Sequence, residues 1–70
     1  MSNEILQPRR VNATWVQRIP NTDKVNIETS EGDSFDDCEY EHGYIENFIL
    51  ATNAAGEDLY IWFYTSDILD

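Results

Sequence analysis

The chain has 70 residues, which is enough for one small domain. Its 14 Asp and Glu residues outnumber 4 Lys and Arg residues, so the net charge is -10, and this acidity argues against direct binding to nucleic acid or to anionic lipid. Because 41% of the residues are hydrophobic and 13% aromatic, the chain is too apolar for a disordered acidic tail. We therefore expect residues 1–70 to form a single acidic domain.

Cysteine content and the opening sequence bear on the compartment. The single cysteine, Cys38, excludes a disulfide within the chain. Residues 1–10 (MSNEILQPRR) lack the apolar segment of a signal peptide, and no stretch is long and apolar enough to span a membrane. These features predict a cytoplasmic protein that does not associate with membranes.

The first third of the chain predicts a β-hairpin. Residues 1–9 are expected to form a flexible arm. Apolar and polar side chains then alternate over residues 11–19, and again over residues 25–30, which is typical of strands. Residues 20–23 (PNTD) have turn chemistry. A hairpin over residues 10–30 follows.

The segment 34–42 has two interpretations. Residues 34–37 (SFDD) resemble a capping box and Gly43 is a natural helix end, so we first predict a two-turn helix. Such a helix would bring three side chains to one side, namely Phe35, Cys38 and His42. The alternative is a strand over residues 37–42, with Asp37, Glu39 and Glu41 on one face. Acidic side chains are uncommon in strands, which disfavours it.

The last third predicts a second hairpin. Residues 44–53 and 59–65 are rich in apolar, β-branched and aromatic side chains, and a loop of about five residues separates them. In the second strand both faces are largely apolar, with Leu59, Ile61 and Phe63 on one side and Tyr60, Trp62 and Tyr64 on the other. A strand with this pattern is covered on two sides, so we expect the Tyr60 row to meet the chain termini or another molecule.

Taken in order, these elements predict an α+β fold: a small, mainly antiparallel four-stranded sheet with one short helix, in the order ββαββ. An all-β fold is the alternative. The alternation also predicts the core, which would contain Val11, Trp15, Ile19, Val25, Ile27, Ile49, Leu59, Ile61 and Phe63.

Charge is segregated along the sequence. All four basic residues precede residue 25, and of the 14 carboxylates only Glu4 and Asp23 do so. The densest acidic run predicts a partner-binding patch: Glu28, Glu31, Asp33, Asp36, Asp37, Glu39, Glu41 and Glu46. Such a field attracts basic protein surfaces in a salt-dependent way. The plainer interpretation is a solvated face that keeps the protein soluble.

Residues for catalysis are scarce. The one histidine, His42, and the one cysteine, Cys38, would form at most half of a zinc site or a thiolate and imidazole pair. The acidic residues lack the D-x-D-x-D-G order of a calcium loop. We therefore predict no enzyme activity, no catalytic residues, no metal site and no cofactor.

The aromatic side chains Tyr40, Tyr60, Trp62 and Tyr64 form a second predicted partner-binding set. Aromatic platforms stack bases in proteins that bind single-stranded nucleic acid, but those platforms are accompanied by positive charge, which this part of the chain lacks. Aromatic residues flanked by acidic ones are instead typical of a protein interface.

Three functional hypotheses follow. The first is an acidic inhibitor or decoy that mimics nucleic acid and occupies the basic surface of a nucleic-acid-binding protein. By analogy alone, small acidic inhibitors made by bacteriophages and mobile elements are similar in size and charge. The alternative is a structural or assembly module that forms a homodimer or a subunit contact through the aromatic sheet face. The third is a divalent-ion or redox role centred on Asp36, Asp37, Cys38 and His42.

Overall fold

The computed structural model describes residues 8–70. Their strands are β1 (Arg9–Arg18), β2 (Val25–Thr29), β3 (Ser34–Cys38), β4 (Glu41–His42), β5 (Glu46–Thr52), β6 (Asp58–Tyr64) and β7 (Ile68–Leu69). A single turn of 3-10 helix, Thr65–Asp67, separates β6 from β7. No helix among these residues is long and apolar enough to cross a membrane. Residues 1–7 of the predicted arm lie outside the described residues, whereas Arg9, its last residue, already belongs to β1.

The α+β prediction is wrong. Residues 8–70 contain no α-helix, and the seven strands form one mixed sheet instead of a four-stranded one. Its order is β3-β2-β1-β6-β5-β4, with β7 beside β1. Both expected hairpins are present, because β1 pairs antiparallel with β2 and β5 pairs antiparallel with β6. The parallel pairing of β1 with β6 was not predicted.

A bulge explains why the segment 34–42 is not a helix. Strand β3 pairs with β2, and its extra residue falls between the Ile27–Phe35 and Val25–Cys38 pairs. There Asp37 adopts a left-handed φ of 56°, which an α-helix does not allow. Its backbone N–H donates to Asn26 Oδ1 at 2.9 Å. The bulge also interrupts the alternation of polar and apolar side chains, so the sequence of this strand lacks the period of two that would identify it.

The sheet is curled. Strands β3 and β4 lie at opposite ends of the strand order, yet only residues 39 and 40 separate them in the chain. The step from residue 38 to residue 41 covers at most about 11 Å, so the two ends of the sheet must come close together. The result is a half-barrel. Tyr40, in this link, packs edge-on against the buried Phe63, with 5.3 Å between ring centroids.

The core lies inside the half-barrel and contains seven of the nine predicted residues, with Ala13 and Val16 buried in place of Trp15 and Ile19. Its buried apolar residues are Val11, Ala13, Val16, Val25, Ile27, Ile49, Leu59, Ile61 and Phe63. Ile19 is only half-buried, and Trp15, expected inside, is 36% exposed. The cause is a second bulge: Ala13 pairs with Thr29 and Trp15 pairs with Glu28, so Thr14 is the extra residue. Trp15 therefore points outward and Val16 takes the inner position.

A buried amide fixes the turn between β6 and β7. Asn47 is 1% exposed, and its Nδ2 donates to Thr65 Oγ1 at 2.9 Å. Asp67 Oδ2 accepts the backbone N–H of Tyr64 at 3.0 Å. Strand β6 runs beside the first half of β1 and β7 runs beside its second half. The turn thus lies next to the bulge at Thr14.

Candidate functional sites on the outer face

The predicted acidic residues do not share one face. Glu28 lies on β2, Asp36 and Asp37 on β3, Glu41 on β4 and Glu46 on β5. Strands β1 and β6 separate β2 from β5 in the sheet. Glu31 and Asp33 lie between β2 and β3, and Glu39 lies in the link to β4. The dense run of sequence is therefore distributed around the half-barrel.

Basic side chains from the first third of the chain contact carboxylates of the acidic run, so part of its negative charge is neutralised. Each of the four pairs with a carboxylate: Arg9 with Glu31 and Glu57, Arg10 with Glu46 (3.1 Å), Arg18 with Asp70 (2.9 Å), and Lys24 with Asp37 (3.7 Å). Three of the eight predicted patch residues thus have a cation beside them. Sequence separation hid these pairs, since the partners of Arg9 are 22 and 48 residues away.

Arg9 is the centre of the most connected of these pairs. Its Nε and Nη2 donate to the two carboxylate oxygens of Glu57 at 2.7 and 2.9 Å, and it also donates to Glu31. The Arg9 guanidinium, with a smaller contribution from Asn53, lowers the pKa of Glu57 to about 2. The same guanidinium lowers the pKa of Glu31. Arg9 thereby joins the turn after β2 to the loop before β6.

These pKa shifts predict how acid affects stability. A carboxylate with a depressed pKa in the folded state stabilises the fold above its unfolded value of 4.5, and that contribution is lost as pH falls toward 2. We expect the urea midpoint of the native protein to exceed that of Arg9→Gln at pH 6, and the difference to vanish near the pKa of Glu57. Protonation of the other carboxylates affects both proteins alike. A constant difference across the titration would contradict the role of Arg9.

Most of the remaining acids of the predicted patch follow the free edges of the sheet. Five of the eight have no cation partner among residues 8–70, and all of them except Glu28 lie in the segment that forms both edge strands: Glu28, Asp33, Asp36, Glu39 and Glu41. Charged side chains on an edge strand oppose pairing with the edge of another sheet. Part of the acidic run therefore has an architectural explanation that needs no partner.

One groove brings four of the predicted residues together. We call it the acidic groove; its volume is about 330 Å³, and its lining residues are Glu39, Tyr40, Glu41, Phe48, Leu50 and Tyr60. The rings of Phe48 and Tyr60 stack, with centroids 4.7 Å apart and planes 7° from parallel. Leu50 is 72% exposed. Two carboxylates thus flank an exposed apolar surface.

Phe48 and Leu50 were not predicted as site residues. They alternate with the buried Asn47 and Ile49, and in the β5–β6 ladder they lie opposite Trp62 and Tyr60. Both faces of β5 are therefore apolar, as in β6. That double alternation is visible in the sequence and could have identified them.

A second groove lies on the same outer face. We call it the tryptophan groove; its volume is about 530 Å³, and its side-chain walls include Trp15, Trp62, Tyr64, Asp67 and Leu69. Trp62 and Tyr64 meet edge to face at 5.4 Å. Of these five residues, the sequence predicted only Trp62 and Tyr64 as binding residues. The bulge that turns Trp15 outward supplies the third aromatic wall.

Cys38 and His42 do not form the side of a helix. Burial raises the pKa of the Cys38 thiol, and the negative charges of Asp36 and Asp37 raise it further. The raised pKa disfavours the thiolate that a nucleophile or a metal ligand needs. The His42 ring lies against Tyr40, with centroids 4.6 Å apart. Within residues 8–70 no three His, Cys, Asp or Glu side chains are grouped as metal ligands.

A scan against protein-family models, and searches of curated proteins and of solved structures, found no match to this chain.

Proposed function

We propose that this protein is a non-catalytic binding domain whose partner is a basic protein, and that the acidic groove is its main contact. The observation that carries the proposal is that Glu39 and Glu41, which form no ion pair with any of residues 8–70, flank the exposed Leu50 and the stacked rings of Phe48 and Tyr60. Apolar anchors with charges at the rim are the usual composition of a protein interface.

Long-range electrostatics support the same class of partner. The net charge of -10 attracts cationic surfaces and speeds their approach at low salt. The four cations of the chain are already engaged with its own carboxylates. A basic partner is then the natural source of countercharge for Glu39 and Glu41.

A more specific proposal is that the basic surface belongs to a nucleic-acid-binding protein, which the domain inhibits as a decoy. DNA carries one charge per about 1.7 Å of axis, whereas side chains on one face of a strand recur every ~6.7 Å. Mimicry therefore needs carboxylates from several elements. Three such carboxylates lie close together in the chain: Asp36 on β3, Glu39 in the link and Glu41 on β4.

The test compares two double variants that change the net charge equally. Glu39→Gln/Glu41→Gln alters the acidic groove, and Asp23→Asn/Glu28→Gln alters unpaired acids elsewhere. Immobilised protein is exposed to cell lysate at low and high salt, and captured proteins are identified. We expect native protein and the control variant to retain a basic protein that salt releases. The groove variant should lose about tenfold in affinity for it, which corresponds to about 1.4 kcal/mol.

Equal retention by both double variants would contradict the proposal. The decoy mechanism has its own arm: duplex DNA should compete with the domain for the captured partner. If DNA does not displace the basic partner, the proposal of a binding domain stands and the decoy mechanism is contradicted.

The second candidate is the assembly module. Leu50 and Tyr64, 72% and 41% exposed, lie on one outer face of the sheet and could be covered by a second copy. Salt separates the two candidates. Screening weakens attraction to a basic partner, but it strengthens self-association of a chain with a net charge of -10. A sedimentation mass that rises with concentration and with salt would favour the homodimer.

A further inference from the structure

The tryptophan groove combines three aromatic walls with one carboxylate. Trp15 and Trp62 are the two tryptophans of the chain, and both line it together with Tyr64 and Asp67. Asp67 uses Oδ2 to accept the backbone N–H of Tyr64. Its Oδ1 has no hydrogen-bond partner in the part of the chain that the structure describes. A negative oxygen therefore lies beside aromatic faces.

Cations are attracted to aromatic faces, and this chain already shows one such contact. The Arg10 guanidinium carbon lies 5.5 Å from the centroid of the Trp62 ring. Arg10 does not line the tryptophan groove, because its side chain turns to Glu46. Arg9, Arg18 and Lys24 each pair with a carboxylate that does not line the groove, so none of them supplies a cation to it.

We propose that the tryptophan groove binds an arginine side chain of the basic partner, an inference that rests on the proposed function. A guanidinium is planar and weakly hydrated, so it stacks on an indole while donating to a carboxylate. Asp67 Oδ1 accepts from the guanidinium, and Trp15 or Trp62 stacks against its plane. Leu69, which is 52% exposed, contacts the methylene stem.

The test uses three capped tripeptides: Gly-Arg-Gly, its citrulline counterpart and its lysine counterpart. Citrulline keeps the shape of arginine without charge, and lysine keeps the charge without the planar group. The two indole N–H signals in the NMR spectrum report on the groove directly. We expect the arginine peptide to shift both signals saturably, and the other two peptides to bind about fivefold more weakly, as a cation–π contact at a partly exposed ring predicts.

Two variants and a matched control complete the experiment. Asp67→Asn keeps an oxygen acceptor for the Tyr64 N–H but removes the charge, and Trp15→Leu removes one wall while Trp62 still reports. Both variants should bind the arginine peptide about fivefold more weakly than the native protein does. Asp23→Asn makes the same charge change as Asp67→Asn at a residue that lines neither groove, and it should leave the affinity for the arginine peptide unchanged. If Trp15→Leu fails to fold, Asp67→Asn alone decides.

Three results would overturn the inference. Equal affinity for the arginine and citrulline peptides would show an apolar groove without cation preference. Equal effects of Asp67→Asn and Asp23→Asn would show long-range attraction only. Indole signals that move with protein concentration in the absence of peptide would show that a second copy covers the groove. If capture of a basic protein still depends on Glu39 and Glu41 in any of these cases, the proposed function stands without the arginine site.

Discussion

Asn47→Asp should leave the domain largely unfolded at neutral pH. Asn47 is 1% exposed, and its amide donates to Thr65, so a carboxylate there would be buried beside a hydroxyl without a cation. An uncompensated buried charge costs about 3–5 kcal/mol. A core of this size supplies roughly 3–5 kcal/mol of stability in total. The substitution thus removes most of what holds the sheet together.

Acid should rescue this variant. Burial raises the pKa of the introduced carboxyl above its unfolded value of about 3.9. Stability is then fully present below about pH 4 and is lost as pH rises through the raised value.

The measurement is the urea midpoint of the variant relative to that of the native protein from pH 3 to pH 7. Asn47→Ala is the control, because it loses the hydrogen bond to Thr65 at about 1–3 kcal/mol without adding a titrating group. Its deficit should not change with pH. A deficit of Asn47→Asp that is equally flat would show that the introduced carboxylate reaches solvent.

Gly43→Ala should detach β4 from the sheet. A Cβ at this position would overlap the carbonyl oxygen of Glu46 and lie 2.9 Å from Phe48 Cε2. Strand β4 has only two pairs with β5, at Glu41 and His42, so the turn can relieve the overlap only by giving up this short ladder. We expect a loss of about 1–3 kcal/mol in the free energy of unfolding. Capture of the basic partner should fall as well, because Glu41 and Phe48 would separate.

Gly56→Ala is the matched control for this prediction. Gly56 has a φ of 81°, so a side chain there is strained by about 1–2 kcal/mol, yet no atom lies within 4 Å of the added Cβ. Both variants should lower the urea midpoint, but only Gly43→Ala should weaken partner capture. If the two variants reduce capture equally, general destabilisation and not the position of β4 is responsible.

Alternation of side chains was sufficient to predict two hairpins and most of the core. It failed where one strand has an extra residue. At Thr14 the bulge reverses the phase, so Trp15 points outward and Val16 inward. At Asp37 a bulge with left-handed φ interrupts a strand in which acidic residues already concealed the pattern. No local periodicity reveals a bulge, because the partner strand sets the register.

The candidate sites were partly predictable for a related reason. The outward row of β6 follows from alternation alone, and it contributes Tyr60 to one groove and Trp62 and Tyr64 to the other. Which acids keep their charge unpaired depends on contacts between distant residues, as in Arg9 with Glu57. The link that brings Glu39 and Glu41 to Tyr60 is likewise a result of sheet closure.

The parallel pairing of β1 with β6 has a consequence for how the chain folds during synthesis. The paired positions Arg9 and Leu59 are far apart in sequence, so the amino-terminal hairpin emerges from the ribosome long before its inner side can be covered. Contacts between distant residues form slowly, since a long loop must close first. Until β6 emerges, the inner side chains Val11, Val16, Val25 and Ile27 stay uncovered, and the edge of β1 that later pairs with β6 is open to pairing with another chain.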